Sequence, residues 1–480
     1  PYLDARERST IRDALVNNAL SFAPTAYGSN PGRDPRLFWV KIPTNWNQVC
    51  NGGMLTAALA LADEEPELTR MVVGGVRKSL PVAMVTYQPD GAYPEGPSYW
   101  AYGTTFTVIL LAELEECVGT DFGLGNTPAF DRTAVYRLAV QGPTGLAFNY
   151  ADGEAALDES DDRGLAPYCW LAERHHSIAA IEHCRELIGQ ESARRGVNND
   201  RFLALDAVWY PQAPSDRGKA EPLDIHFRGR ADIALFRSAW GDPRALFVGF
   251  KAGDNATNHA QLGLGSFVLD ADGVRWALNL GRDNYNLPGY FGAQRWSYFR
   301  LNNHSQNTLT PGDRVQEVKA VAPIITFGST PNRAYAAADL TAAYPGEADR
   351  MIRGIEVLDR SRVLVEDELT RAISGVPLHW AMLTSASISL SANGRSALLT
   401  QEHRQLRVDA LTPADARFRV GSTKPPTAAE NQNEGTAMLV LDVPAPASVS
   451  DLRIGVLLTP VGDRWPALPP PAPERLSDWR

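Results

Sequence analysis

His259 stands between two short apolar runs that read as strands, in the stretch Gly253-Asp-Asn-Ala-Thr-Asn-His259. Gln261, Asn279, Asn303, Gln306 and Asn307 follow it, together with Arg275, Arg282 and Arg295. Neutral amides, guanidinium groups and one imidazole make a poor nucleophilic centre. They are well suited to holding a sugar acid and removing a proton from it, because imidazole ordinarily titrates near neutrality. Two clusters nearer the N-terminus carry similar chemistry. In Thr44-Asn-Trp-Asn-Gln-Val-Cys-Asn51-Gly-Gly, Asn45 and Asn47 flank Trp46 just before a helix. An indole face can stack on a sugar ring, and amides donate to a carboxylate without adding charge. Asn51 alone reads as a helix N-cap. In Asp90-Gly-Ala-Tyr-Pro-Glu95-Gly-Pro-Ser-Tyr99-Trp-Ala-Tyr102, a turn-rich loop enters a helix at about Pro97. Tyr99 and Tyr102 then share a helical face, a spacing that also suits plain core aromatics. Glu95 reads as ordering this loop. The nucleophile elbow, P-loop, HExxH and dinucleotide glycine signatures are absent.

The elements that must position these groups change character near residue 222. From 1 to 222 the apolar spacing is helical: Arg6–Phe22, Gly52–Ala62, Pro66–Met84 and Tyr99–Cys117 are amphipathic or small-residue runs broken by Pro and Gly. Helices joined by short turns predict a toroid or solenoid of helical hairpins. Residues 142–166, rich in Gly, Asp and Glu, read as an exposed acidic loop. From 223 to 480 the period is two, with short runs such as Ala231–Arg237, Ala245–Phe250, Ser266–Leu269, Arg362–Glu368, Ala381–Leu390, Gln405–Ala410, Ala437–Leu441 and Leu452–Leu458. Such runs between turn residues predict stacked antiparallel sheets. Pro466–Glu474 reads as a proline-rich tail, packed along the surface or loose.

With 480 residues, two large units are expected. A net charge of −10 argues against a general nucleic-acid binder, and no apolar run is long enough to span a membrane. Between 226 and 300, however, eight Arg and one Lys face six Asp, a local positive excess that suits an acidic substrate. Cys50, Cys117, Cys169 and Cys184 form no CxxC pair and read as buried apolar side chains. The chain opens at Pro1 without Met or a signal segment and reads as a processed or truncated product.

The order of these motifs resembles the heparinase II/III-like polysaccharide lyases, where a strand run with His-x-His-x-Asp is followed by Asp-x-Gly and His-Asn-Thr-Leu. The resemblance covers nearly the whole chain. It implies an α+β multidomain fold: an N-terminal (α/α) toroid over 1–222, with room for missing helices, then an antiparallel β-sandwich over 223–480. It also implies a periplasmic or secreted protein. His259 matches the first histidine of the family motif, while Gln261, Gly263, Asn279 and Gln306 replace a histidine, an aspartate, an aspartate and a histidine. Relatives draw zinc ligands from these positions. Amides bind zinc poorly, so no cofactor is expected, and the amides should instead bond to one another. His304 alone makes no zinc site.

β-Elimination from a uronic acid requires a neutralised carboxylate, a base for the α-proton and an acid for the leaving oxygen. The resemblance implies Asn47 for the first task, helped by Asn45 and Arg295, His259 as base and Tyr99 as acid. Trp46, Glu95, Tyr102, Arg237, Arg282, Tyr285, Tyr298 and His304 are expected to bind the saccharide. The expected partner is an acidic poly- or oligosaccharide, with no nucleic acid and no membrane span. The rivals are a toroid glycoside hydrolase using Asp90 and Glu95, and a carbohydrate-binding relative without activity.

Overall fold

The computed structural model describes residues 2–28, 34–157, 164–193, 201–213, 221–471 and 474–479. The chain forms two compact units, one of residues 1–93, 98–138 and 158–220, the other of 94–97, 139–157 and 221–480.

The first unit is helical. The helix Ala5–Asn18 starts at a capping box: Asp4 accepts from the amides of Arg6 and Glu7 at 2.8 Å, and Glu7 returns a bond to the amide of Asp4. Pro66–Met84 carries Pro at its first position, where the missing N–H costs nothing. The helix Asn45–Ala60 begins well before the expected start at Gly52, so the Asn-Trp-Asn motif lies inside it and Asn51 caps nothing. Its small residues serve packing. A Cβ on Gly52 would meet the carbonyl of Phe106 at 2.9 Å, so the backbones of this helix and of Gly96–Glu113 approach closely there. Cys169 and Cys184, expected as separate buried thiols, are bonded to each other and join the helices Leu165–Arg174 and Ile178–Ala193.

The second unit is built of antiparallel sheets. Five strands form a meander in chain order, from Ile225–Phe227 through Ile233–Arg237, Phe247–Lys251 and Phe267–Ala271 to Val274–Ala277. An eight-stranded sheet has Arg362–Ala372 and Ser450–Val461 at its centre. A four-stranded sheet contains Leu309–Pro311, Leu378–Thr384, Arg417–Gly421 and Ala437–Val443. Alternate side chains of all three meet in one apolar core that includes Phe250, Trp276, Trp380, Ile355, Val456 and Leu441. The run expected as one strand over 381–390 is two, ending at Thr384 and resuming at Ser387, and the two halves join different sheets. On the outer face of the large sheet, Tyr335, Ile352, Leu364 and Leu457 are covered by Leu476 and Trp479. The proline-rich tail is therefore held: Arg362 also donates to the carbonyl of Pro469 at 2.6 Å.

Residues 142–157 depart from expectation. Phe148, Asn149, Tyr150, Ala151 and Asp152 are buried within the second unit, so this part is no solvent loop, while 158–163 lie outside the described residues. Gly96 and Gly281 permit the close fit. A Cβ on either would press on the carbonyl of Tyr150 or Gly153, at 2.3 and 2.5 Å.

Candidate active site

His259 sits on the loop after the short strand Gly253–Asp254, with φ +58, a left-handed conformation uncommon for a residue with a Cβ. Surrounding bonds hold it there. Its carbonyl accepts from the amide of Asp152 at 3.0 Å, and its Nδ1 lies 3.2 Å from Asp152 Oδ2. Its Nε2 faces Glu95, 3.9 Å from Oε2. The ring stacks on Tyr285 at 6.2 Å and meets the edge of Phe291 at 6.1 Å. Phe291 is two-thirds exposed, an aromatic surface beside the imidazole.

Asp152 organises the cluster. Its Oδ1 accepts from Arg295 at 2.7 Å and from the Tyr290 hydroxyl at 3.2 Å, and Tyr285 reaches Oδ2 at 3.5 Å. Arg295 also donates twice to the carbonyl of Ala260, at 2.7 and 3.0 Å. The guanidinium thus balances the buried carboxylate and clamps the backbone next to His259. Burial and the Asp152 charge push the Tyr290 phenol above its usual range, so it remains a hydrogen-bond donor. The Asp152 carboxylate on Nδ1 fixes the orientation of the ring. Asn258 donates to Glu95 Oε2 at 2.9 Å, which fixes the second carboxylate.

Beneath this loop the expected amide cluster is formed. Asn279 donates to Gln261 Oε1 at 3.0 Å and to Gln306 Oε1 at 3.1 Å, and Gln261 donates to the carbonyl of Gly281 at 2.8 Å. Gly263 leaves room for it, since a Cβ there would meet Gln306 Oε1 at 3.0 Å. Neutral amides bound to each other do not fit zinc. Among the described residues no group of three His, Cys, Asp or Glu is placed to hold a metal ion. Asn307 is structural, donating to the carbonyls of Phe267 and Leu278 and accepting from the amide of Leu383.

Several expected site residues have other work. Arg295 is spent on Asp152 and Ala260 and is buried, so it offers no charge to a ligand. Arg237 donates to the carbonyls of Ala139 and Gln141 and lies against Trp240 and Phe247, and burial pushes its guanidinium down to about 9. It is a structural pin. The Tyr298 hydroxyl donates to the carbonyl of Pro288 inside an aromatic cluster. The amide of Asn47 faces the carbonyls of Trp39, Val40 and Ser79 and the Ser79 hydroxyl, all within 3.2 Å, so both its hydrogens are taken. Asn47 therefore ties three segments of the helical unit rather than reaching for a carboxylate.

Arg282 is half-exposed, pairs with Glu154 at 3.0 Å and covers the Tyr285 ring at 5.1 Å. In the helical unit Asn45 is buried, and Trp46 is half-exposed with Phe38 beside it at 5.6 Å. Tyr99 and Tyr102 are half-buried on the helix Gly96–Glu113. His304 is half-buried and its imidazole is held below its usual range by desolvation. The residue that sequence reading missed is Asp152, hidden in a stretch whose composition signals solvent.

Residues 232–450 match the family described as heparinase II/III-like, C-terminal. No curated protein matches the sequence. Solved structures share the fold, among them the following three. A mutant of the heparan sulfate lyase HepC from Pedobacter heparinus has a TM-score of 0.57 at 14% identity, over 85% of this chain and 59% of its own. A heparinase III with methylated lysines has a TM-score of 0.61 at 14% identity, over 91% and 60%. Another heparinase III has a TM-score of 0.64 at 11% identity, over 88% and 63%. The chain thus spans about three fifths of the length of these proteins. They pair a helical region with antiparallel sheets, as this chain does.

Proposed function

We propose, for a chain that belongs through residues 232–450 to the heparinase II/III-like family, a polysaccharide lyase that cleaves uronic-acid-containing glycans by β-elimination. The observation that carries this reading is the held imidazole. His259 has Nδ1 on a buried, arginine-balanced Asp152, an arrangement that orients a base. In the proposed reaction Nε2 takes the proton from the carbon bearing the carboxylate. Those electrons form the new double bond as the adjacent carbon–oxygen bond breaks, and the departing oxygen receives a proton from Tyr99. Removing that proton requires the carboxylate's charge to be offset. Phe291, Tyr285 and Arg282 supply aromatic and hydrogen-bonding surface beside His259 for a saccharide. No step runs through a metal, because the amides at the family's ligand positions are poor zinc donors.

The Cys169–Cys184 bond supports an oxidising compartment, outside the cytosol. The deciding assay is incubation with a panel of uronate polymers, followed by ultraviolet absorption of the unsaturated product. Turnover by the wild type and its loss in Tyr99→Phe, with the saccharide still bound, is the expected result. A Tyr99→Phe protein of full activity would remove this phenol from the reaction.

A further inference from the structure

Among the described residues Lys251 is a cation with no carboxylate at ion-pairing distance. It ends the strand Phe247–Lys251, donates to the carbonyl of Ala252 and lies 5.7 Å from the centre of the Tyr150 ring. The nearby acids are committed elsewhere: Asp254 to Arg230 at 2.9 Å and the amide of Ala256 at 2.7 Å, Asp232 to His226 at 2.6 Å and the amide of Ile324 at 3.0 Å. Desolvation lowers the amine to about 8 against the pull of both acids, so it is still mostly charged at neutral pH. A partly buried ammonium without a counter-ion is costly, and an anion brought to it would recover that cost.

Lys251 borders a small, partly open cleft whose walls include Tyr150, Thr257, Ala260, Gln261 and Ser266. Its enclosed part has room for a group of few heavy atoms and not for a sugar ring. Hydrogen-bond donors on these walls are unspent. The Ser266 hydroxyl accepts from the amide of Asn307 at 3.2 Å and retains its own hydrogen. One hydrogen of the Gln261 amide goes to Gly281 and the other is open, while the Thr257 hydroxyl reaches a carbonyl only at 3.5 Å. Asp254 also lies on the wall, its charge met by Arg230. One positive charge, several spare donors and a small enclosed end describe a carboxylate site. Ala260 puts the wall one residue from His259.

We infer that this cleft is the subsite for the sugar carboxylate and that Lys251 provides the charge that offsets it, an assignment that rests on the lyase reading above. It fills the role that Asn47, with its amide spent, does not.

The test uses the full chain with D-glucuronate, its methyl ester and acetate as probes. Glucuronate should shield the Lys251 amine from acetylation in wild-type protein, read by peptide mass spectrometry, and the methyl ester should shield it far less. Lys251→Gln should bind glucuronate about 10- to 100-fold more weakly, and Lys251→Arg should retain most of the affinity. If Lys251→Gln fails to fold, the shielding measurement on wild type decides alone. Equal shielding by ester and acid, or none by either, overturns the assignment. Acetate shielding as well as glucuronate at equal concentration would make this a site for any small carboxylate and overturn the sugar assignment. Polymer cleavage separates the two ideas. Cleavage unaffected by Lys251→Gln sinks the subsite and spares the lyase. Lysine-dependent glucuronate binding without cleavage of any uronate polymer sinks the lyase and leaves a binding site.

Discussion

At the scale of single residues, the His259–Asp152–Arg295 chain makes a prediction that separates chemistry from packing. His259→Ala should lower turnover by about two to four orders of magnitude while the fold survives. Asp152→Asn should lower turnover too, because an amide at Nδ1 no longer fixes the tautomer. It should also cost about 3–5 kcal/mol of stability, since Arg295 stays buried without its partner. Paired kinetics and chemical denaturation check both. If Asp152→Asn loses stability but keeps the wild-type rate and pH profile, Asp152 is a structural ion only. Asn47→Ala should behave in the opposite sense, destabilising by at least about 2 kcal/mol because it strands several buried carbonyls. Equal stability with altered substrate preference would return Asn47 to the role the family resemblance implied. His259 was legible in the sequence because a motif surrounds it. Asp152 was not, because its burial depends on Arg295, 143 positions away, and local composition around it resembles a surface loop. Arg295 was read as a ligand for the same reason. A guanidinium in sequence does not reveal which carboxylate it meets.

At the scale of elements, the replacement of family ligands by Gln261, Asn279 and Gln306 gave the most exact reading. The amides were expected to orient one another, and they do so over 3.0 to 3.3 Å. Chelator treatment should therefore change neither activity nor thermal unfolding, and elemental analysis should find no stoichiometric zinc. One tightly held metal per chain, lost together with stability on chelation, would overturn this. Strands that are nearly continuous apolar runs, such as Ile233–Arg237 and Ala437–Val443, were legible within two or three residues. Arg350–Leu358 and Arg333–Asp339 were not. Arg353 sits fully buried in the first, paired with Asp367 at 2.7 Å, and the second is mostly alanine, so neither shows a pattern that alternation finds. The helix at Asn45 was placed late because Asn51 read as its N-cap and Asn45, Asn47 and Gln48 as residues before it. Their amides are buried in side-chain bonds, Gln48 with Tyr87 and Thr107, and tertiary bonding outweighs weak propensity.

At the scale of the whole molecule, the change from helical to alternating periodicity near residue 222 correctly separated helices from sheets, because each period follows from which face must be buried. The segments 94–97 and 139–157 pack with the sheet unit, and no periodicity marks such an exchange. The large sheet also carries a pH dependence of stability. Glu366 lies at its centre, pairs with Arg453, and is pushed up to about 7 by burial, which outweighs the opposing pull of the guanidinium. Its folded value exceeds the ordinary 4.5, so the folded state holds this proton more tightly than the unfolded state does. The corresponding stability is fully present below about pH 4.5 and is lost as pH rises through about 7, a slope opposite to that of a salt-bridged carboxylate with a depressed value. Glu366→Gln keeps the protonated shape without the titration. The wild type should therefore weaken relative to this variant between those limits, by roughly 1–3 kcal/mol, and the gap should stay constant above them. Urea unfolding of both proteins across that range measures the gap directly. A wild type that gains stability over the variant as pH rises would mean that Arg453 holds Glu366 ionised throughout, with the ion pair rather than burial in control.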